Sequence, residues 1–372
     1  MANRRKKKVL VVDDSAFMRK IISDIINKHS QMEVVDTARN GKDALQKLVQ
    51  LKPDVITLDV EMPLMNGLEA LKEIMRIQPT PVVMLSSTTK LGAENTMLAM
   101  ENGAVDFIAK PGGAISLNLK DIEDEISKKV FAAAAVSVKK LSTTIGHPKQ
   151  TQPKVLRPTM TKQSTIEQKR PVSEEKRPFH GTGKTIVAIG TSTGGPRALQ
   201  QVLTHLPAHL AAPIVIVQHM PPGFTKSLAD RLHHLSEISV TEVKDGEVLQ
   251  NGTAYIAPGG KHFTVKKMGA SLVAEVSDRL PPMKGHRPSV DVLFDSVASL
   301  TGMRCIATIM TGMGNDGLEG TKKLTSTIHT ITIAEAEETC VVYGMPKAIV
   351  DEQLADEVVQ LDEIADAITR FV

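Results

Sequence analysis

The chain has 372 residues, of which 41% are hydrophobic and 23% charged, with a formal net charge of +3. That length exceeds one ordinary core and implies two domains, and the composition excludes disordered and fibrous proteins. The weak charge, the absence of Trp and the presence of only two Tyr argue against a nucleic-acid partner, which asks for a basic face or stacking platforms.

The basic run Arg4–Lys8 reads as a solvated terminus. The apolar run that follows, Val9–Val12, is too short for a signal peptide and ends in two aspartates. No stretch approaches the roughly 18 apolar residues of a membrane span, so no direct membrane insertion is expected and the location reads as cytoplasmic. Strand and helix patterns then alternate: strand 9–12, helix 16–28, strand 34–38, helix 42–51, strand 55–59, helix 68–77, strand 82–85, helix 94–102, strand 106–108 and helix 120–129. Five strands alternating with five helices predict a doubly wound, flavodoxin-like parallel sheet over residues 1–128.

Residues 129–183, with Pro148, Pro153, Pro158, Pro171 and Pro178 among Lys, Gln, Ser and Thr, read as a linker. Alternation restarts in 184–372, with strands at 186–189, 214–218, 254–257, 305–310 and about 330–333. Helices are expected at 196–204, 224–234, 290–300 and 317–324, and a β-hairpin insertion at 262–276. This half is again α/β with a mostly parallel sheet. Cys305 and Cys340 stand apart with no metal-ligand spacing and read as buried thiols in a reducing compartment.

In the first half Asp13, Asp14 and Asp59 end strands, Ser86 ends the fourth and Lys110 follows the fifth. Parallel strand ends converge on one sheet edge. Three carboxylates there ask for a divalent cation, and hard oxygens suit Mg²⁺. With a lysine and a hydroxyl beside it, one aspartate can act as a nucleophile toward a phosphoryl group. In isolation Asp13-Asp14 also reads as a helix cap before Ser15. The joint arrangement resembles the receiver domain of two-component response regulators. That resemblance implies Asp59 as phosphoacceptor, Mg²⁺ held by Asp13, Asp14, Asp59 and the Glu61 carbonyl, Ser86 as switch hydroxyl, Lys110 as phosphate-binding lysine and Phe107 at the switch-aromatic position.

In the second half the strand Ile186–Ile189 breaks into Gly190-Thr-Ser-Thr-Gly-Gly-Pro196. Either Ser192 is a nucleophile at the tip of this turn, or the glycines cradle a phosphate or let a helix pack closely. A nucleophilic serine needs a base and an orienter. His219 follows a strand directly, with His262 and His286 as weaker rivals. Asp316 lies beyond a third strand, where it also reads as a helix N-cap. The glycines around Met313 leave N–H groups free for an oxyanion.

Together, A-I-G-T-S-T-G-G-P at 188–196, V-Q-H-M-P-P-G-F at 217–224, G-H-R-P-S-V-D-V-L-F at 285–294 and M-T-G-M-G-N-D-G at 310–317 resemble the chemotaxis protein-glutamate methylesterases. The resemblance implies Ser192 as nucleophile, His219 as base, Asp316 as its orienter and the Met313 N–H as oxyanion donor. It also implies methylated chemoreceptor helices as substrate, glutamine deamidation beside ester hydrolysis, a histidine kinase as phosphodonor, and no cofactor for the esterase step. A non-catalytic binding module on a receiver, or a serine esterase with another acyl group, is the competing reading.

Overall fold

The computed structural model describes residues 5–110, 119–137 and 183–372. Most of the expected linker and Pro111 lie outside the described residues.

The first half is β1 (Lys7–Val12), α1 (Ala16–Lys28), β2 (Met32–Ala38), α2 (Gly41–Leu51), β3 (Val55–Asp59), α3 (Gly67–Ile77), β4 (Val82–Ser86), α4 (Lys90–Glu101), β5 (Asp106–Ala109) and α5 (Leu119–Ala133). Its five strands run in the order β2-β1-β3-β4-β5 with every pairing parallel. Strands β3 and β4 are buried along their whole length, as apolar runs covered by helices on both faces must be. Helix α4 starts four residues before the expected Glu94 because the Thr89 side chain caps it by accepting from the Gly92 N–H.

The second half is β6 (Thr185–Thr191), α6 (Gly195–Leu203), β7 (Ile214–Gln218), α7 (Phe224–Leu235), β8 (Ser239–Glu242), β9 (Thr253–Ile256), β10 (His262–Met268), β11 (Ser271–Ser277), α8 (Val290–Ala298), β12 (Arg304–Ile309), α9 (Leu318–Thr327), β13 (His329–Glu335), α10 (Met345–Asp351), β14 (Glu357–Val359) and α11 (Ile364–Phe371). Seven strands form one parallel sheet in the order β14-β13-β12-β6-β7-β9-β8. The expected hairpin is the antiparallel pair β10–β11. The sheet edges β8 and β14, with α10 and α11, are additional to the expected elements. The two edge strands are only four and three residues long, and each buries no more than one residue, so neither carries a run or a clear alternation.

The halves meet through α4 and β5 on one side and α6 and α7 on the other. The Phe107 and Phe224 rings lie 4.6 Å apart, tilted by 32°. Arg231 forks onto Glu101, Nε to Oε1 at 2.6 Å and an Nη2 to Oε2 at 2.9 Å. Thr193 donates its hydroxyl to Asp106 Oδ2 at 2.5 Å.

Candidate active site

Strands β6, β7 and β12 are neighbours, and their C-terminal ends carry the loops that hold Ser192, His219 and Asp316. Thr191 pairs in register with Gln218, so Ser192 and His219 are the next residues of adjacent strands. The His219 N–H donates to the Thr191 carbonyl at 3.1 Å and the Ser192 N–H to the Thr311 carbonyl at 3.0 Å. Gln218 Nε2 donates to the Ser192 and His219 carbonyls, both at 3.0 Å. The buried Thr311 ties a fourth segment in: its hydroxyl donates to the Thr193 carbonyl at 2.8 Å and accepts from the Val342 N–H at 3.0 Å. Gln218 and Thr311 were not expected from the sequence.

His219 Nε2 lies 2.8 Å from Asp316 Oδ2. The carboxylate also accepts from the Val290 N–H at 2.7 Å, the Ser289 hydroxyl at 2.9 Å, and the N–H groups of Asp291 and Gly317 at 3.0 and 3.1 Å. Burial pulls the Asp316 carboxyl upward, but the His219 bond and charge and these backbone donors outweigh it and hold it well below the usual carboxylate range. Asp316 is therefore ionised and acceptor-only, and His219 Nε2 is the donor. The N-cap of α9 is Gly317, so the capping reading of Asp316 gives way to the His219 bond. His219 Nδ1 is buried with no hydrogen-bond partner among the described residues.

Ser192 is half-buried, and its hydroxyl is not hydrogen-bonded to His219. The N–H of Ser192 is taken by the Thr311 carbonyl, and that of Gly195 by the Ser192 carbonyl at 2.7 Å, so two of the turn's donors are already engaged. The Gly312 carbonyl accepts from the Gly344 and Met345 N–H groups, while the Met313 N–H has no acceptor among the described residues. His262, one rival base, is buried with Nε2 3.1 Å from the Pro281 carbonyl. The other, His286, is stacked on His219.

In the first half, Asp13, Asp14 and Asp59 each offer an oxygen within 4.8 Å of the others. Lys110 Nζ sits 2.9 Å from Asp13 Oδ2 and 2.7 Å from Asp59 Oδ2. Both are close ion pairs, and neither oxygen has a further partner among the described residues. One ammonium between two buried carboxylates leaves uncompensated charge and coordination capacity, so the donor set fits a hard divalent cation. Burial pushes the Asp59 carboxyl up to about 6, although Lys110 pulls it down. The buried Ser86 hydroxyl donates to the Gly92 carbonyl in the first turn of α4 at 3.0 Å.

Two family models match the chain: the response regulator receiver domain over residues 9–120 and the CheB methylesterase over 187–368. The chain is 55% identical over 365 residues to the protein-glutamate methylesterase/protein-glutamine glutaminase of Geobacillus kaustophilus, covering 98% of each chain. The chain belongs to the CheB methylesterase family. Its Bacillus subtilis member, of the same name, is 50% identical over 367 residues and 98% of each chain. The crystal structure of the Thermotoga maritima CheB methylesterase catalytic domain is 44% identical, with a TM-score of 0.49, covering 51% of this chain and 100% of that one. The carboxylate cluster lies within the receiver match, and Ser192, His219 and Asp316 within the methylesterase match.

Proposed function

We propose that the chain is a cytoplasmic serine hydrolase that removes γ-methyl esters from chemoreceptor glutamates, releasing methanol, and deamidates receptor glutamines, under control of its receiver half. The observation that carries this reading is the His219–Asp316 bond at 2.8 Å, made at the strand end beside Ser192 and saturated on its carboxylate side. Because Asp316 engages Nε2, the basic nitrogen is Nδ1. Ser192 Oγ attacks the ester carbonyl while Nδ1 takes its proton, and the Met313 N–H faces the developing oxyanion. The imidazolium returns the proton to the departing methoxide as methanol. Water, deprotonated by the same nitrogen, then attacks the acyl carbonyl, and Ser192 Oγ leaves with the imidazolium proton, freeing the glutamate and restoring the serine hydroxyl.

In the receiver half Asp59 accepts a phosphoryl group from a histidine kinase. Asp13, Asp14, Asp59 and the Glu61 carbonyl would hold Mg²⁺, whose charge offsets the carboxylates. Lys110 and the Ser86 hydroxyl then bind phosphoryl oxygens, which takes Ser86 away from the Gly92 carbonyl and loosens the start of α4. That helix and β5 make the contacts to α6 and α7, and Asp106 grips Thr193, the residue next to the nucleophile. Phosphorylation raises activity by favouring the undocked state.

Two results follow for this half. Arg231→Glu sets two like charges at the interface, and the unphosphorylated esterase rate is expected to rise about three- to tenfold, with Glu101→Arg in the same chain restoring control. Asp59→Asn, in metal-free buffer, is expected to stabilise the protein at neutral pH. A carboxyl raised from 3.8 to about 6 in the folded state destabilises it fully above pH 6, on the order of 2–3 kcal/mol. The advantage fades as pH falls from about 6 to below 3.8, which thermal unfolding against pH would trace.

Methanol release from methylated receptor membranes tests the whole reading. The full chain should release methanol, and faster after a small phosphodonor and Mg²⁺ are added. No release would refute the esterase, and an unchanged rate with Asp59 phosphorylated would refute the gating.

A further inference from the structure

The ring of His286 lies flat on that of His219, with centroids 3.9 Å apart and planes within 5° of parallel. It is carried by the loop between β11 and α8. Mutual backbone bonds between Met283 and His286, at 3.0 and 2.8 Å, close that loop. The Arg287 guanidinium fastens it further by donating to the Asp278 and Leu280 carbonyls at 2.9 and 3.2 Å. Immediately after it, Ser289, Val290 and Asp291 donate to Asp316. One short segment, 286–291, thus holds both the face of the His219 imidazole and the carboxylate at its edge.

The charges around the stack decide how it works. Two imidazolium rings at this separation would repel strongly, so the stack does not hold both rings charged. Asp316 bonds the edge of His219 and makes no hydrogen bond to His286, so its negative charge lies against His219 rather than His286. Burial first, and then the charge on His219, push His286 down to about 4, with Asp316 opposing and Lys128 and Lys129 of the receiver half adding to the effect. Lys284, on the same loop, is paired with Asp291 at 2.8 Å. His286 therefore meets His219 as a neutral ring near pH 7.

We propose that His286 is a positioning residue for the esterase, whose ring clamps the His219 imidazole face-on, keeps Nδ1 turned toward Ser192 and supports the imidazolium formed when Ser192 gives up its proton. The proposal rests on the assignment of Ser192, His219 and Asp316 above. The bond to Asp316 fixes one atom of the imidazole and leaves rotation about that bond open. A ring packed on the face removes that freedom, and an aromatic face over a cation is attractive.

The test compares His286→Leu, which keeps bulk without a π face, with His286→Phe, which keeps the face without ring nitrogens. Both are made in the full chain, phosphorylated with a small phosphodonor and assayed on methylated receptor membranes. His286→Leu is expected to lower kcat about tenfold with KM within about twofold, and His286→Phe to stay within about threefold of the parent. Equal activities in the two variants, whether both high or both low, would overturn the proposal, because the aromatic face would then contribute nothing. Ser192→Ala in the same assay separates the two levels: full release by that variant would refute the serine assignment. Its inactivity beside indistinguishable Leu and Phe variants refutes the role of His286 alone.

Discussion

Asp316→Asn is expected to lower kcat about 10³- to 10⁴-fold with a small change in KM. The reason is the inventory of donors around this side chain. His219 Nε2, the Ser289 hydroxyl and the N–H groups of Val290, Asp291 and Gly317 all point at its two oxygens. A carboxylate accepts from all five, whereas an asparagine must turn an NH₂ toward at least one donor. If the amide NH₂ faces His219, the imidazole has to present a bare Nε2 and carry its proton on Nδ1, where it can no longer take one from Ser192. If it faces Ser289 and the backbone instead, buried N–H groups lose their acceptor, at about 1–3 kcal/mol each. The substitution should therefore reduce stability as well as rate.

The pH dependence has a defined sign. Because the folded protein holds Asp316 below its ordinary value of 3.8, its contribution is present above that pH and lost as pH falls through the lower folded value. The stability gap between parent and variant is expected to be full at pH 7 and to narrow only on strong acidification. Thermal unfolding across that range, beside kcat and KM at pH 7, checks both effects. A variant within tenfold of the parent in kcat would contradict the assigned role.

Gly195→Ala is the second large effect, about 100-fold in kcat, although the residue touches no reacting atom. A Cβ at this position would lie 2.0 Å from Gln218 Oε1 and 2.4 Å from Thr191 Oγ1. Gln218 cannot yield freely, because its Nε2 joins the Ser192 and His219 carbonyls. Thr191 cannot yield freely either, because its hydroxyl donates to the Thr311 carbonyl at 3.1 Å, which also accepts from Ser192. Relieving the clash moves Ser192 relative to His219, and displacements near 1 Å have effects of this size. Steady-state kinetics and thermal unfolding on the same preparation distinguish the outcomes. A folded alanine variant with kcat near that of the parent would show that this frame does not position Ser192.

The receiver pocket was legible because its chemistry sits at strand ends. Once Asp13, Asp59, Ser86 and Lys110 are assigned to successive parallel strands, the sheet itself brings them to one edge. The same logic placed Ser192 and His219 side by side and brought Asp316 near. What it could not supply is orientation. Which imidazole nitrogen meets Asp316 depends on two side-chain torsions, and no spacing encodes them. Nor could periodicity find Thr311 or Gln218, whose bonds join residues 120 and 26 positions apart and which read locally as a loop residue and a strand end. His286 entered as a rival base because a loop histidine near glycines has no predictable position. The fold makes it a neighbour of His219 by closing the loop at Met283. Ser289 shows an intermediate case: a serine before an apolar helix signals an N-cap, and it does cap α8, but the same hydroxyl also serves Asp316.

The two halves are joined by the chain next to Ser192. Thr193 follows Ser192 and is held by Asp106, which also pairs with Lys129 at 3.4 Å. The Lys129 ammonium donates to the Phe107 carbonyl at 2.7 Å and lies 5.2 Å from the centre of the Phe107 ring, the ring that packs on Phe224. Direct contacts thus run from β5 of the receiver half to the serine loop.

Covalent labelling of the full chain with a fluorophosphonate, located by peptide mass spectrometry, tests the assignment of Ser192 as a nucleophile under receiver control. It predicts a single adduct on the peptide containing Ser192, formed faster after Asp59 is phosphorylated and lost in Asp316→Asn. An unlabelled Ser192 in a chain that still releases methanol from methylated receptors in the presence of the probe would contradict it.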